Sequence, residues 1–308
     1  MGRARALDAD AIDLDAYAAE MTRGRRARGD ARASARPRVR VFRWRAEPKV
    51  LLLAFADATT QRRALGRVSM YVEDPDARGR VAASLPSGAR GGVANYSGHN
   101  ARCREVAAFG NAAAAHASGV WEEEREVIDA LVGCGVMRRE RDGTVRAREG
   151  EDWEGRRAAG GGGAGVAETC VIAVCASEDA REVRDALLHE AMHGLWYARE
   201  DHARWCYEFY RGDALSDAER ATWVEFLREL RYDVSCEEVV VNEFQAYMAT
   251  ERVLFGADAV SSAKSGKRSS SRAVEALTEM QKKFAAAARD VVYDPPRCGN
   301  LRVVWETS

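Results

Sequence analysis

No apolar run in this chain approaches a membrane span. The longest, Val50 to Ala56, falls far short of the roughly 20 residues that cross a bilayer. An apolar signal-peptide core is missing near the start, where Asp8, Asp10, Asp13 and Asp15 interrupt it, and the same acids disfavour an organellar transit peptide. An excess of one charge is missing too. The 47 basic and 48 acidic side chains leave a formal net charge of −1, which offers no field to nucleic acid or an anionic membrane. No Cys-x-x-Cys pair occurs among the cysteines at 103, 134, 170, 175, 206, 236 and 298. That argues against a thiolate zinc site and a disulfide framework, and for buried free thiols. These absences predict a soluble intracellular protein, cytoplasmic by default, with no nucleic-acid or membrane partner; they leave the oligomeric state open.

What remains is ordinary globular composition over 308 residues, enough for one large domain or two small ones. Residues 1–38 read as a flexible basic arm, since Arg23 to Arg40 holds many arginines and almost no large apolar side chains. Residues 39–146 read as an N-terminal α+β part: strands at Val39–Phe42 and Lys49–Phe55, a third at Gly66–Val72, and a helix over Glu122–Val132. Within it Asp74 to Gly98 reads as loop, ending in the polar cluster Asn95-Tyr96-Ser97-Gly98-His99-Asn100 before a helix near Ala101. Turn chemistry explains such a cluster; alternatively Tyr96 and His99 line a pocket and bind substrate. Residues 147–167, around Gly160–Gly163, read as a flexible insertion, and a Ser-rich loop spans 257–272.

The part from 168 to 308 carries the chemistry. Thr169–Cys175 is a short β-branched strand, followed by Asp179 and Glu182 in capping-box register and then a helix through Val183, Leu187, Leu188, Met192 and Leu195. Inside that helix stands His189-Glu190-Ala191-Met192-His193. Four residues at about 100° each leave the imidazoles within roughly 40° of one another, one turn apart, so both can reach one cation. Glu190 projects beside the pair, near a water on the metal without being consumed as a ligand. A carboxylate so placed can take that water's proton and return it to a leaving amine. With five histidines in the chain, such spacing by chance is improbable, although an amphipathic helix with two core histidines would read the same way.

Catalytic zinc usually takes three protein ligands. His202 lies half a turn away if the helix continues, and serves only if the helix ends first. Glu243 sits in the helix Val239-Val240-Val241-Asn242-Glu243-Phe244, sharing a face with Val239, Ala246 and Tyr247. A carboxylate on an inward apolar face is costly unless paired or bound to metal, which nominates Glu243.

A strand, a helix bearing His-Glu-x-x-His and a later helix bearing Asn242-Glu243 resemble a zincin metallopeptidase of the gluzincin type, over about Thr169 to Arg252. The resemblance implies an α+β, zincin-like fold: a small mixed or antiparallel sheet, a metal-binding helix and a mostly helical C-terminal half. It implies Zn2+ held by His189, His193 and Glu243, with Glu190 as general base and a peptide or protein as substrate. It makes the strand before the metal helix an edge strand, whose backbone around Ala173, Cys175 and Ser177 would pair with extended substrate. Tyr247 would orient a ligand histidine or donate to the oxyanion, unless it is a core tyrosine. Two features depart from the family: Glu243 follows His193 at an unusually long interval, and Tyr247 stands where an acidic residue is common. A zinc peptidase is thus the expected function. The alternatives are a non-catalytic zincin-fold protein that binds metal or recognises peptide, and a helical interaction protein with a coincidental motif.

Overall fold

The computed structural model describes residues 18–19, 21–22, 39–44, 47–86, 98–148, 168–177, 179–252, 254–255, 271–289 and 301–306. Tyr96, Gly160–Gly163, Cys298 and most of the basic arm and Ser-rich segment lie outside them. The apolar stretches expected to be strands pair first with one another. β1 (Val39–Trp44) and β2 (Val50–Phe55) form an antiparallel pair, and every residue of β2 is buried. Such a strand needs a covering layer on each face. Leu51, Leu53 and Phe55 enter one apolar core, while Val50, Leu52 and Ala54 enter another.

Three further strands complete a five-stranded mixed sheet: β3 (Gly98–Arg102), β6 (Cys170–Cys175) and β7 (Leu301–Glu306). Their order is β3-β6-β2-β1-β7, with β6 parallel to β2 and the other neighbours antiparallel. Residues 39–146 and 168–308 therefore interleave within a single sheet.

On one face lie α1 (Ala58–Glu73), α2 (Cys103–Ala115), α3 (Glu122–Gly133) and the hairpin of β4 (Met137–Arg139) with β5 (Val145–Ala147). The strand expected at Gly66–Val72 is instead the second half of α1. Asp57 caps that helix by accepting from Thr60 N at 2.8 Å, and Ala64, Leu65 and Val68 recur at helical spacing against the sheet. Arg67 is fully buried there, its guanidinium donating to both Glu124 oxygens at 2.6 and 2.7 Å.

On the other face lie α4 (Ala180–Ala198), α5 (Glu200–Arg211), α6 (Asp217–Glu229), α7 (Glu237–Thr250) and α8 (Ser271–Ala288). α6 opens with the capping box Ser216–Glu219 that its sequence signals. α7 is buried at every position from Val239 to Met248, enclosed on all sides by its neighbours. The chain is thus a mixed α+β protein with a small mixed sheet between helical layers. Its six described cysteines are free, and Cys103, Cys170 and Cys206 are buried.

Candidate metal centre

Helix α4 starts at Asp179, whose carboxylate accepts from Arg181 N at 2.9 Å. Glu182 does not close the expected capping box; it takes the Ser177 hydroxyl instead. Val183, Leu187, Ala191 and Leu195 step by four residues and bury in the core beneath the sheet. Gly194 brings the helix close: a Cβ there would stand 2.8 Å from Val50 Cγ1. Held this way, α4 presents His189 and His193 to α7.

The two Nε2 atoms face each other at 3.2 Å. Each ring uses its other nitrogen elsewhere, His193 Nδ1 on Asn242 Oδ1 at 3.0 Å and His189 Nδ1 near Thr250 Oγ1 at 3.4 Å. An amide oxygen only accepts, so His193 carries its proton on Nδ1 and offers a lone pair at Nε2. From α7, Glu243 sets Oε1 3.6 Å from His193 Nε2 and Oε2 3.7 Å from His189 Nε2. Three ligands at about 2.1 Å from a tetrahedral ion stand about 3.4 Å from one another. The two imidazole nitrogens are close to that spacing, and each has a different Glu243 oxygen at a similar distance. Glu243 Oε2 is also buried without a hydrogen-bond partner, a costly state for a carboxylate oxygen that a cation would relieve. The residues present fit a metal ion.

Burial lowers both histidines to about 4, leaving them neutral and ready to ligate near pH 7. Burial raises Glu243, against the opposing pull of His193 and a hydrogen bond from Tyr232. Glu190 is pushed well above the usual carboxylate range, first by burial and then by the Glu243 charge, with Asn100 opposing. His189, Glu190 and His193 bring ligand atoms within 4.8 Å of one another, a group that could hold a metal ion. Glu190 lies beside the ligands: its Oε2 accepts from Asn100 Nδ2 at 3.3 Å, and a Cβ on Gly98 would overlap its carboxylate. The His189 side chain keeps 19% exposure against 1% for His193 and 3% for Glu243, so the centre opens to solvent on the His189 side.

The remaining expected residues divide. Tyr247 packs edge-on against the His189 ring, centroids 4.7 Å apart, with Trp223, Phe226 and Phe255 around it. His202 is not in the centre. The helix breaks at Arg199, and on α5 His202 meets Gln245 Oε1 at 3.1 Å. His99 is in β3 rather than a loop and turns to the opposite face, where Nδ1 meets Ser69 Oγ of α1 at 2.8 Å. Tyr96 lies outside the described residues. β6 is not an edge strand: Ala173 pairs with Leu53 on one side and His99 on the other, and Cys175 pairs with Phe55. Ser177 caps α4. Among the described residues the sheet edge beside the centre is β3, so any strand addition here belongs to β3.

Reading the sequence missed Gly98 and Asn100 as the residues that seat Glu190, and Tyr197 and the Asn242 side chain behind the histidines. The period of two would have paired Gly98 with Asn100 and excluded His99, had 98–102 been read as a strand. It also missed Glu73, buried at the end of α1 and held well above its usual range by burial and by the charges of Glu243 and Glu190. A surface hollow of about 440 Å3, lined by Ala58, Thr59, Arg62, Arg63, Leu85 and Trp121, contains none of the motif residues.

No family model, no curated protein and no solved structure matches this chain.

Proposed function

We propose that the chain is a zinc-dependent peptidase of zincin-like type, with His189, His193 and Glu243 holding zinc and Glu190 as general base. The observation that carries this reading is the pair of imidazole Nε2 atoms 3.2 Å apart with the Glu243 carboxylate across them, Oε1 3.6 Å from His193 and the orphaned Oε2 3.7 Å from His189. Two imidazoles and a carboxylate suit zinc, a borderline-soft ion that favours four-coordination. Zinc bound there supplies a water of near-neutral pKa and polarises a carbonyl.

The chain's own residues do the rest. Glu190 accepts the proton of the attacking water and delivers it to the leaving amine. Burial raises its affinity for a proton, which suits a group that must take one from water and pass it on. Asn100 and Gly98 fix the direction of its carboxylate, and Tyr247 braces the His189 ring. A peptide as substrate follows from the zincin resemblance. The Glu190 carboxylate is seated by Gly98 and Asn100 beside the ligands rather than among them, which suits the enzyme reading.

The test is hydrolysis of a mixed peptide library by the zinc-loaded chain, followed by mass spectrometry. Cleavage should stop with a chelator and return with zinc. Glu190→Gln should keep zinc affinity to within about tenfold while losing at least about a hundredfold in rate. Undiminished cleavage by Glu190→Gln would sink the mechanism.

A further inference from the structure

A line of buried polar groups connects the base to a ligand. Asn100 Nδ2 donates to Glu190 Oε2 at 3.3 Å, and Tyr197 OH donates to Asn100 Oδ1 at 2.9 Å. Asn242 Nδ2 donates to Tyr197 OH at 3.2 Å, and His193 Nδ1 meets Asn242 Oδ1 at 3.0 Å. These residues come from β3, α4 and α7, and Asn100, Tyr197 and Asn242 are all more than nine-tenths buried.

The orientation of every group follows from the carboxylate. To act as the base Glu190 must be ionised, and an ionised carboxylate only accepts, so Asn100 turns its amide hydrogens to Glu190 and its oxygen to Tyr197. Tyr197 then donates its one hydrogen to Asn100 and must accept from Asn242. Asn242 consequently turns its oxygen to His193, whose Nδ1 must carry the proton. All four bonds therefore run the same way, from His193 to Glu190. Gln245 Nε2 adds a second donor to Asn242 Oδ1 at 3.2 Å, and Gln245 Oε1 faces His202 Nε2, which gives His202 a place behind the centre. The Arg102 guanidinium lies 4.4 Å over the Tyr197 ring and holds the phenol in position.

We infer that Asn100, Tyr197 and Asn242 form a one-way hydrogen-bond relay through which the Glu190 carboxylate strengthens His193 as a metal ligand. Bonds aligned head to tail polarise one another, so negative charge at one end draws each donor towards it. Asn242 Oδ1 becomes a better acceptor, the His193 N–H is polarised, and Nε2 gains basicity, as partners behind a ligand do at metal sites. Asn100, Tyr197 and Asn242 are positioning residues: they touch the base or the ligand, not the metal. The relay rests on the metal centre proposed above.

The test is zinc affinity of the full chain, measured by competition with a chromophoric chelator. Asn242→Leu should weaken zinc about 10- to 100-fold, and Asn242→Asp, which keeps an acceptor for His193 Nδ1, should recover most of the loss. Asn100→Ala contacts neither histidine, yet should weaken zinc about threefold or more. Tyr197→Phe, which removes one hydroxyl and keeps the ring, should do the same, and the double variant should be no weaker than Tyr197→Phe alone. Wild-type zinc affinity in Asn100→Ala and Tyr197→Phe, or losses that simply add, would overturn the relay while leaving the centre intact. A wild-type chain that binds no zinc overturns both.

Discussion

Glu243 occupies a position that elementary energetics disfavours. It is 2% exposed within a helix whose residues from Val239 to Met248 are all buried, and one of its oxygens has no hydrogen-bond partner. Replacing it with Ala should lower zinc affinity by at least about a hundredfold, whereas His202→Ala should change it by no more than about fivefold. The reverse ranking in a chelator-competition titration would make His202 the ligand. Gly98 is the matching residue on the base side. Gly98→Ala places a methyl group where the Glu190 carboxylate lies. It should cut peptide hydrolysis at least about tenfold while zinc stays within about tenfold of wild type; an unchanged rate would show that Glu190 does not act from its seat on β3.

At this scale the histidines were legible because their four-residue spacing is itself a statement about geometry. The burial of Glu243 was legible because an acid among Val239, Phe244 and Ala246 shares an inward face. Asn100 was not. Its significance depends on a bond across 90 residues to Glu190.

Elements were legible wherever one period dominated. β1, β2 and β6 follow their apolar runs, and α6 follows its capping box. The strand expected at Gly66–Val72 failed because Val68 and Val72 suggested β propensity locally, while the Asp57 cap and the spacing of Ala64, Leu65 and Val68 decided the longer window. β3 was hidden for the opposite reason: Gly98-His99-Asn100-Ala101-Arg102 has almost no β propensity and is a strand because β6 pairs with it. The seat of α4 on the sheet depends on Gly194. Gly194→Ala drives a methyl group into Val50 and should destabilise the fold by about 1–3 kcal/mol in urea unfolding. Val50→Ala in the same chain should restore part of that loss. If the double variant is instead as unstable as the two losses summed, the close approach of α4 to β2 is not what Gly194 serves.

For the whole molecule, the sheet makes one body of segments that the sequence had divided at 147–167. That division followed a real change in composition, but strand order is decided by pairings that composition does not encode. The layer opposite the centre contributes its own pH dependence. His99 is buried, has no partner at Nε2, and is held at about 4 by burial, against about 6.5 in an unfolded chain. The unfolded state therefore binds the extra proton between those values, and stability falls as pH falls through that window. Relative to His99→Gln, the wild type should lose on the order of 3 kcal/mol between pH 6.5 and pH 4 in metal-free urea titrations. A difference that stays constant with pH would mean His99 is not held neutral.

The central claim is that His189, His193 and Glu243 make a zinc site. Its most direct test is the zinc content of the purified, dialysed chain beside that of His193→Ala. The account predicts about one zinc per wild-type chain and almost none in His193→Ala, with both chains folded. Wild-type protein with only trace zinc, or equal zinc in the two, would contradict it.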